Sequence, residues 1–258
     1  MKDYLIDTHC HIDIINNEGI SLDDIFAGMR VNSVKKVIIP AVEISTQNSV
    51  VELANKYDNL YGMVGIFPTE AKTYTDEYEK KMEQFAKNSK KIVAVGEIGL
   101  DYYWDKTSVD LQKDIFKRQI KLANRLHLPI VVHDREAHKD CFDIIKEEKP
   151  QNGALFHCFS GSSEFMKECV KEGWYIAIGG VVTFKNALKI KDVARDVPLD
   201  KLVLETDAPY LTPVPFRGKT NKPEYVKFVA EEIAKIRQIS VEELTKITTE
   251  NAERFFKI

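Results

Sequence analysis

Six residues able to bind metal or move protons recur at one kind of position in this chain, each closing or following a short apolar run. They are His9, His11, Glu97, His133, His157 and Asp207. His9 and His11 form an H-x-H pair. In extended backbone, residues i and i+2 point to the same side, so both imidazoles can converge on one ion. Glu97 lies in Val-Gly-Glu-Ile-Gly, His133 in Ile-Val-Val-His-Asp and His157 in Ala-Leu-Phe-His-Cys, while Asp207 follows Leu-Val-Leu-Glu-Thr. Imidazole nitrogens and carboxylate oxygens in this ratio suit first-row divalent ions. Glu97 can bridge two of them. A water between the ions would be acidified towards neutral pH, with the ions polarising a scissile ester or phosphodiester. Asp207 can take the water's proton while holding one ion. Any one of these side chains could instead cap a helix or bond a nearby loop; six at equivalent positions argue for a site. Asp7 either supports that site or packs the interior. The remaining two histidines, His127 and His138, fall on helical segments beside charged residues and are expected to face solvent.

Residues spread over two hundred positions need a scaffold that gathers them. Eight apolar, β-branched runs stand out: Leu5–His9, Val37–Ala41, Leu60–Ile66, Ile92–Ile98, Ile130–His133, Ala154–His157, Tyr175–Ile178 and Leu202–Glu205. Most read as the continuous hydrophobic stretches of parallel strands buried on both faces. Between them lie helical patterns, with roughly 22–36 residues from one strand end to the next, enough for a helix and two loops. Ser21–Asp24 and Thr107–Asp110 resemble capping boxes, and Ser240 opens a last helix. Asp110–Leu126 places Leu111, Ile115, Leu122 and Leu126 near one helix face, with Phe116, Ile120 and Ala123 beside it. Eight alternating units in 258 residues predict an α/β fold, a (β/α)₈ TIM barrel, spanning residues 1–258 as a single domain. In that fold, side chains at the C-terminal ends of separate strands meet in the active site, where these six residues are placed. No G-x-G-x-x-G follows the first strand, which argues against a dinucleotide-binding sheet.

A formal charge of −3 and a pI near 6.1 exclude a broadly basic nucleic-acid binder but leave room for a local phosphate grip. The four cysteines (Cys10, Cys141, Cys158, Cys169) show no C-x-x-C pair and no disulfide spacing, so a reduced, cytoplasmic protein is expected. Cys10 and Cys158 alternate with candidate ligands and are expected to be buried and inert. Met1-Lys2-Asp3-Tyr4 runs directly into the first strand without room for a signal peptide. No apolar stretch approaches the roughly 20 residues of a membrane helix. A monomer is the default for a self-contained barrel.

The motifs Asp7-Thr-His-Cys-His-Ile-Asp13, Gly96-Glu-Ile-Gly-Leu-Asp-Tyr102, His133-Asp-Arg-Glu136, His157-Cys-Phe-Ser-Gly161, Glu205-Thr-Asp-Ala-Pro-Tyr-Leu211 and the Pro213–Pro223 loop resemble the TatD family of metal-dependent deoxyribonucleases over essentially the whole chain. That resemblance implies two divalent ions, variously zinc, magnesium or manganese. His9, His11, Glu97 and Asp207 would hold one, and Glu97, His133 and His157 the other. It implies hydrolysis of nucleic-acid phosphodiesters, in several members from the 3′ end, with DNA or RNA bound locally as substrate. One departure stands out: the family's common Gly-x-His-Pro stretch reads Gly65-Ile-Phe-Pro68 here, so Phe67 replaces a polar group at the rim.

Arg135 and Arg217 are candidates to pair with phosphate oxygens, or else form ordinary salt bridges. Tyr102, Tyr103 and Trp104 could stack on a terminal base or simply pack their loop. Lys219 reads as a solvated loop charge. Alongside the nuclease stand two other readings: a carboxylic ester or amide substrate at the same metals, such as an aminoacyl ester on tRNA, and a non-catalytic metal-binding scaffold. Structural zinc sites are usually closed by four protein ligands, which argues against the scaffold.

Overall fold

A computed structural model describes residues 4–258 of the chain. Met1, Lys2 and Asp3, part of the reading that no leader precedes the first strand, lie outside the described residues. No helix among the described residues is long and apolar enough to cross a membrane.

Strands and helices alternate. The chain opens with β1 (Leu5–Asp7), α1 (Ile12–Asn17), α2 (Leu22–Val31) and β2 (Val34–Pro40). It continues through α3 (Ile44–Lys56), β3 (Leu60–Val64), α4 (Asp76–Asn88), β4 (Ile92–Asp101), α5 (Val109–Leu126), β5 (Ile130–Arg135), α6 (His138–Glu148) and β6 (Ala154–Phe156). Then come α7 (Ser163–Lys171), β7 (Tyr175–Ile178), α8 (Leu188–Asp196), β8 (Leu202–Leu204), α9 (Val226–Arg237) and α10 (Val241–Phe256). The strands follow one another in a single eight-stranded sheet in chain order, the topology of the expected (β/α)₈ barrel.

Two compact units divide the chain. One comprises Met1–Ile39 with Cys158–Ile258, the other Pro40–His157. Within the first, β1 pairs parallel with β2, and β7 with β8. The sheet closes there as well: Thr8 N–H donates to the Leu204 carbonyl, and Cys10 and Ala208 form a parallel bridge. Buried polar groups lock this closure. The Asp7 carboxylate accepts from the His9 and Thr206 N–H groups and from the Thr206 hydroxyl. Asn221 donates to the carbonyls of Thr206 and Tyr210, and Asn251 to those of Leu199 and Leu202. Ser240 caps α10 as expected, accepting from Glu243 N–H, and Ser21 caps α2 through Asp24 N–H.

In the second unit β3, β4, β5 and β6 pair parallel in sequence. Val64, Ile66, Met82, Ile92, Ile115 and Leu122 pack its core. Two buried glutamines on α5 face the same way as these apolar groups, because each satisfies backbone polar groups of another segment. Gln119 accepts from Ile66 N–H and donates to Ile66 O, and Gln112 does the same for Asp101. Leu111, expected on the buried face, is instead exposed beside Gln112. The capping box expected at Thr107–Asp110 is absent. Thr107 and Ser108 both turn back to Asp105, and Ser108 stands at the N-cap of α5 without a side-chain cap bond.

β4 and β5 run further than their apolar runs suggest. Their ladder continues through Gly99↔His133, Leu100↔Asp134 and Asp101↔Arg135. Glu97 and His133 therefore sit inside strands rather than at their ends. Gly99 makes this extension possible: its φ is +145°, and a Cβ there would lie 2.0 Å from the His133 carbonyl oxygen. Gly99→Ala combines a left-handed backbone with a backbone collision. It is expected to destabilise the protein by about 2–4 kcal/mol in urea unfolding. A variant as stable as wild type would mean the strands part there at no cost.

Candidate metal centre

In the first unit, the chain beyond β1 and the chain beyond β8 are zipped together. Asp207 N–H donates to His9 O at 2.9 Å and His11 N–H to Ala208 O at 2.8 Å. This pairing brings three side chains to one point. His11 Nε2 lies 3.5 Å from Asp207 Oδ1, and His9 Nε2 lies 3.9 Å from it. The two rings meet edge to face at 5.2 Å, and Tyr210 stands 6.0 Å beyond His11. Asp207 holds its place with φ +55°, a left-handed conformation that Asp and Asn tolerate better than most residues. Burial pushes the neighbouring Asp7 carboxyl well above the usual carboxylate range, despite the bonds it accepts from Thr206 and His9.

The second unit gathers Glu97, His133 and His157. Glu97 Oε1 is 2.8 Å from both His133 Nδ1 and His157 Nε2, and those nitrogens are 3.3 Å apart. Glu97 is buried and the His133 side chain is 14% exposed, so the cluster has an edge open to solvent. Burial alone would lower the His133 imidazole. The Asp101 and Glu97 carboxylates outweigh it and raise the group above the usual histidine value.

The donor sets fit a divalent ion. Each cluster supplies two imidazole nitrogens and one carboxylate oxygen, with all three donors within 4.8 Å of one another. Metal–ligand bonds near 2.0–2.2 Å set neighbouring donors roughly 3–3.5 Å apart, close to the spacings found here. Borderline nitrogens with a hard oxygen suit zinc or manganese. The six residues proposed from sequence thus fall into two groups of three, His9–His11–Asp207 and Glu97–His133–His157.

The other expectations fare unevenly. Arg135 and Tyr103 come together: the guanidinium lies over the Tyr103 ring at 4.4 Å and over Trp104 at 5.7 Å, with both rings exposed. Tyr102 does not join them. Its hydroxyl donates to Asp140, which makes it a packing residue of the loop. Arg217 packs at 3.9 Å over Phe184 in the first unit, and Lys219 is exposed over Phe216. Phe67 meets His133 edge to face at 4.5 Å. Cys10 is fully buried as expected, and burial pushes its thiol up. Cys158 is only half-buried, because a left-handed turn at φ +44° carries it out of the strand alternation. His127 is exposed, whereas half-exposed His138 bonds Asp134 at 2.7 Å.

Two functional candidates escaped the sequence reading. Asp101 is buried and accepts from His133 Nε2 at 3.0 Å. Burial would raise its carboxyl, but the bonds from His133, Trp104 and Tyr103 bring it below the usual carboxylate range. Glu205 is buried in the first unit, accepts from Cys158 N–H at 2.6 Å and has a carboxylate oxygen within 4.8 Å of a His9 ring nitrogen. Glu205 ends an apolar run, the one signal that could have drawn attention to it, whereas Asp101 lies three residues beyond Ile98 and carried no such signal.

Comparison with known proteins is consistent with this geometry. The family described as TatD related DNase matches residues 6–257. YabD of Bacillus subtilis, an uncharacterized metal-dependent hydrolase, is 42% identical over 98% of this chain and 99% of its own. YcfH of Escherichia coli K12, described in the same terms, is 36% identical over 99% of this chain and 96% of its own. Among solved structures, the TatD homolog YJJV from Escherichia coli K12 superposes with a TM-score of 0.93 at 31% identity, covering 100% of both chains. An organophosphorus hydrolase of Deinococcus radiodurans, at 10% identity and a TM-score of 0.64, shares the fold alone. A match from the first strand to the last helix, with clusters of buried histidine and carboxylate in the places described, makes this chain a metal-dependent hydrolase of the TatD-related DNase family.

Proposed function

We propose that the protein is a nuclease that removes nucleotides from an end of a DNA or RNA strand, using one divalent ion at each three-residue cluster. The observation that carries this reading is the pairing of Arg135 with exposed Tyr103 and Trp104 in the unit that holds Glu97, His133 and His157. A guanidinium stacked by its face on a ring keeps its N–H fork for phosphate oxygens. Exposed aromatic faces beside it suit an unpaired base, with about 1–3 kcal/mol per stacked base.

In this reading His9, His11 and Asp207 hold one ion, and Glu97, His133 and His157 the other. Bound there, the ions would acidify the attacking water and polarise the phosphodiester. Asp207, at the solvent-accessible side of its cluster, takes the water's proton. Arg135 grips a phosphate of the substrate and Tyr103 carries a base, while Arg217 is a further candidate contact to phosphate. Apolar Phe67 packs against His133 and keeps water from that side of the ring.

The test is degradation of 3′-labelled and 5′-labelled single-stranded DNA by metal-stripped protein, re-supplied separately with Mg²⁺, Mn²⁺ and Zn²⁺. Ion-dependent loss of nucleotides from one end is expected. No cleavage by protein that binds both ions would reject the nuclease and direct attention to carboxylic esters. Arg135→Ala is expected to raise KM for the DNA about tenfold to a hundredfold with little change in kcat, since one charge-assisted bidentate contact is lost. An unchanged KM would remove Arg135 from the phosphate site.

A further inference from the structure

We propose that Asp101 is a positioning residue that sets the tautomer of His133, so that Nδ1 presents a lone pair to the ion. The inference rests on the reading of His133 as a metal ligand and adds the group that makes it one. His133 faces two different environments. Its Nδ1 points at Glu97 Oε1 and His157 Nε2, the other donors of its cluster, and its Nε2 points at Asp101 Oδ2 at 3.0 Å. An ionised carboxylate can only accept. Glu97 Oε1 is an acceptor too, at 2.8 Å from Nδ1, but it belongs to the ion's own donor set and Asp101 does not. With an ion bound, the ring proton would be held on Nε2 by Asp101 and Nδ1 left as the ligand nitrogen.

Asp101 is well fixed for this role. It is fully buried at the last position of β4. Its second oxygen, Oδ1, accepts from the N–H groups of Tyr103 at 2.9 Å and Trp104 at 2.8 Å. Its own backbone is held from both sides by Gln112, whose Oε1 accepts from Asp101 N–H while Nε2 donates to the carbonyls of Asp101 and Asp105. One carboxylate thus orients the ligand histidine with one oxygen and the loop carrying the exposed aromatic pair with the other.

These bonds make the Asp101→Asn substitution unusually informative. Asn is the same size and has one acceptor oxygen. The two loop N–H groups claim that oxygen, since turning the amide would set its NH₂ against two donors. The NH₂ then faces His133 Nε2, which must accept. The ring proton moves to Nδ1, the nitrogen turned towards Glu97 and His157. A purely packing role for Asp101 would survive this change; a tautomer-setting role would not.

The experiment is zinc titration against a competing chelator for wild type, Asp101→Asn and His133→Gln, with tryptophan emission recorded alongside. Asp101→Asn is expected to bind zinc about tenfold to a hundredfold more weakly at its weakened site. The emission, to which exposed Trp104 contributes beside buried Trp174, should stay that of wild type because the loop bonds remain. Unchanged affinity in His133→Gln overturns the ligand assignment and this inference with it. Loss in His133→Gln but wild-type affinity in Asp101→Asn overturns this inference alone. Long-range ¹H–¹⁵N NMR of zinc-loaded wild type gives an answer independent of how the variants fold. The proton of His133 is expected on Nε2 and the zinc on Nδ1, and the reverse arrangement overturns the proposal.

Discussion

Glu97→Ala is expected to lose metal and hydrolysis together while the protein stays folded. Glu97 is the only anion of its cluster, and a single oxygen, Oε1, stands 2.8 Å from both imidazole nitrogens. Without it, two imidazole rings remain with no carboxylate, a poor site for a dication from which much of its hydration must be removed. The attacking water then loses an activating ion. Because a bound ion would bring the pKa of water down to near neutral, activity should fall by at least about 10³-fold. Elemental analysis should show at least one ion fewer per chain, the labelled DNA should persist, and the circular dichroism spectrum should match wild type. Full ion content in the variant would remove Glu97 from the centre.

Asp207→Asn separates chemistry from architecture. The residue sits at φ +55°, where Asn is as well tolerated as Asp, so the backbone has no reason to move. Ala at the same place would add about 1 kcal/mol of left-handed strain and blur the result. The amide oxygen still offers a neutral donor, but the charge and the proton acceptor are gone. Turnover is expected to fall about 10²–10⁴-fold, the range of general acid–base contributions, with the midpoint of thermal unfolding close to wild type. Wild-type turnover in Asp207→Asn would end its role as base.

The strands were legible because parallel strands buried on both faces read as apolar runs: Tyr175–Ile178 matches its run from end to end. Where β4 and β5 pass Glu97 and His133, polar residues end the pattern but not the ladder, so hydrophobicity alone stopped short of Asp101 and Arg135. The ligand candidates were legible for a related reason. A charged or imidazole side chain placed after an apolar run has little to do in a core, and six of them grouped into two threes. Asp101 and Glu205 escaped because their work is done for other groups, the His133 ring and the Cys158 backbone. Gln112 and Gln119 misled the reading of α5 in the same way: a glutamine on the buried face is explained only by the backbone amides it satisfies, Asp101 at the end of β4 and Ile66 in the loop after β3. The Thr107 box failed because Asp105, two residues earlier, competes for the same hydroxyls.

The division of the chain into an uninterrupted Pro40–His157 stretch and a unit assembled from both of its flanks also places events in time. Glu97, His133 and His157 lie on the continuous stretch, whereas His9 and His11 reach Asp207 only after the β8 segment exists. At about 5–20 residues per second, synthesis delivers Asp207 several seconds after His157, roughly fifty residues later. The growing polypeptide therefore carries every donor of the Glu97 cluster while the His9 pair still waits for its carboxylate, and ions met during translation find the two clusters at different stages of completion.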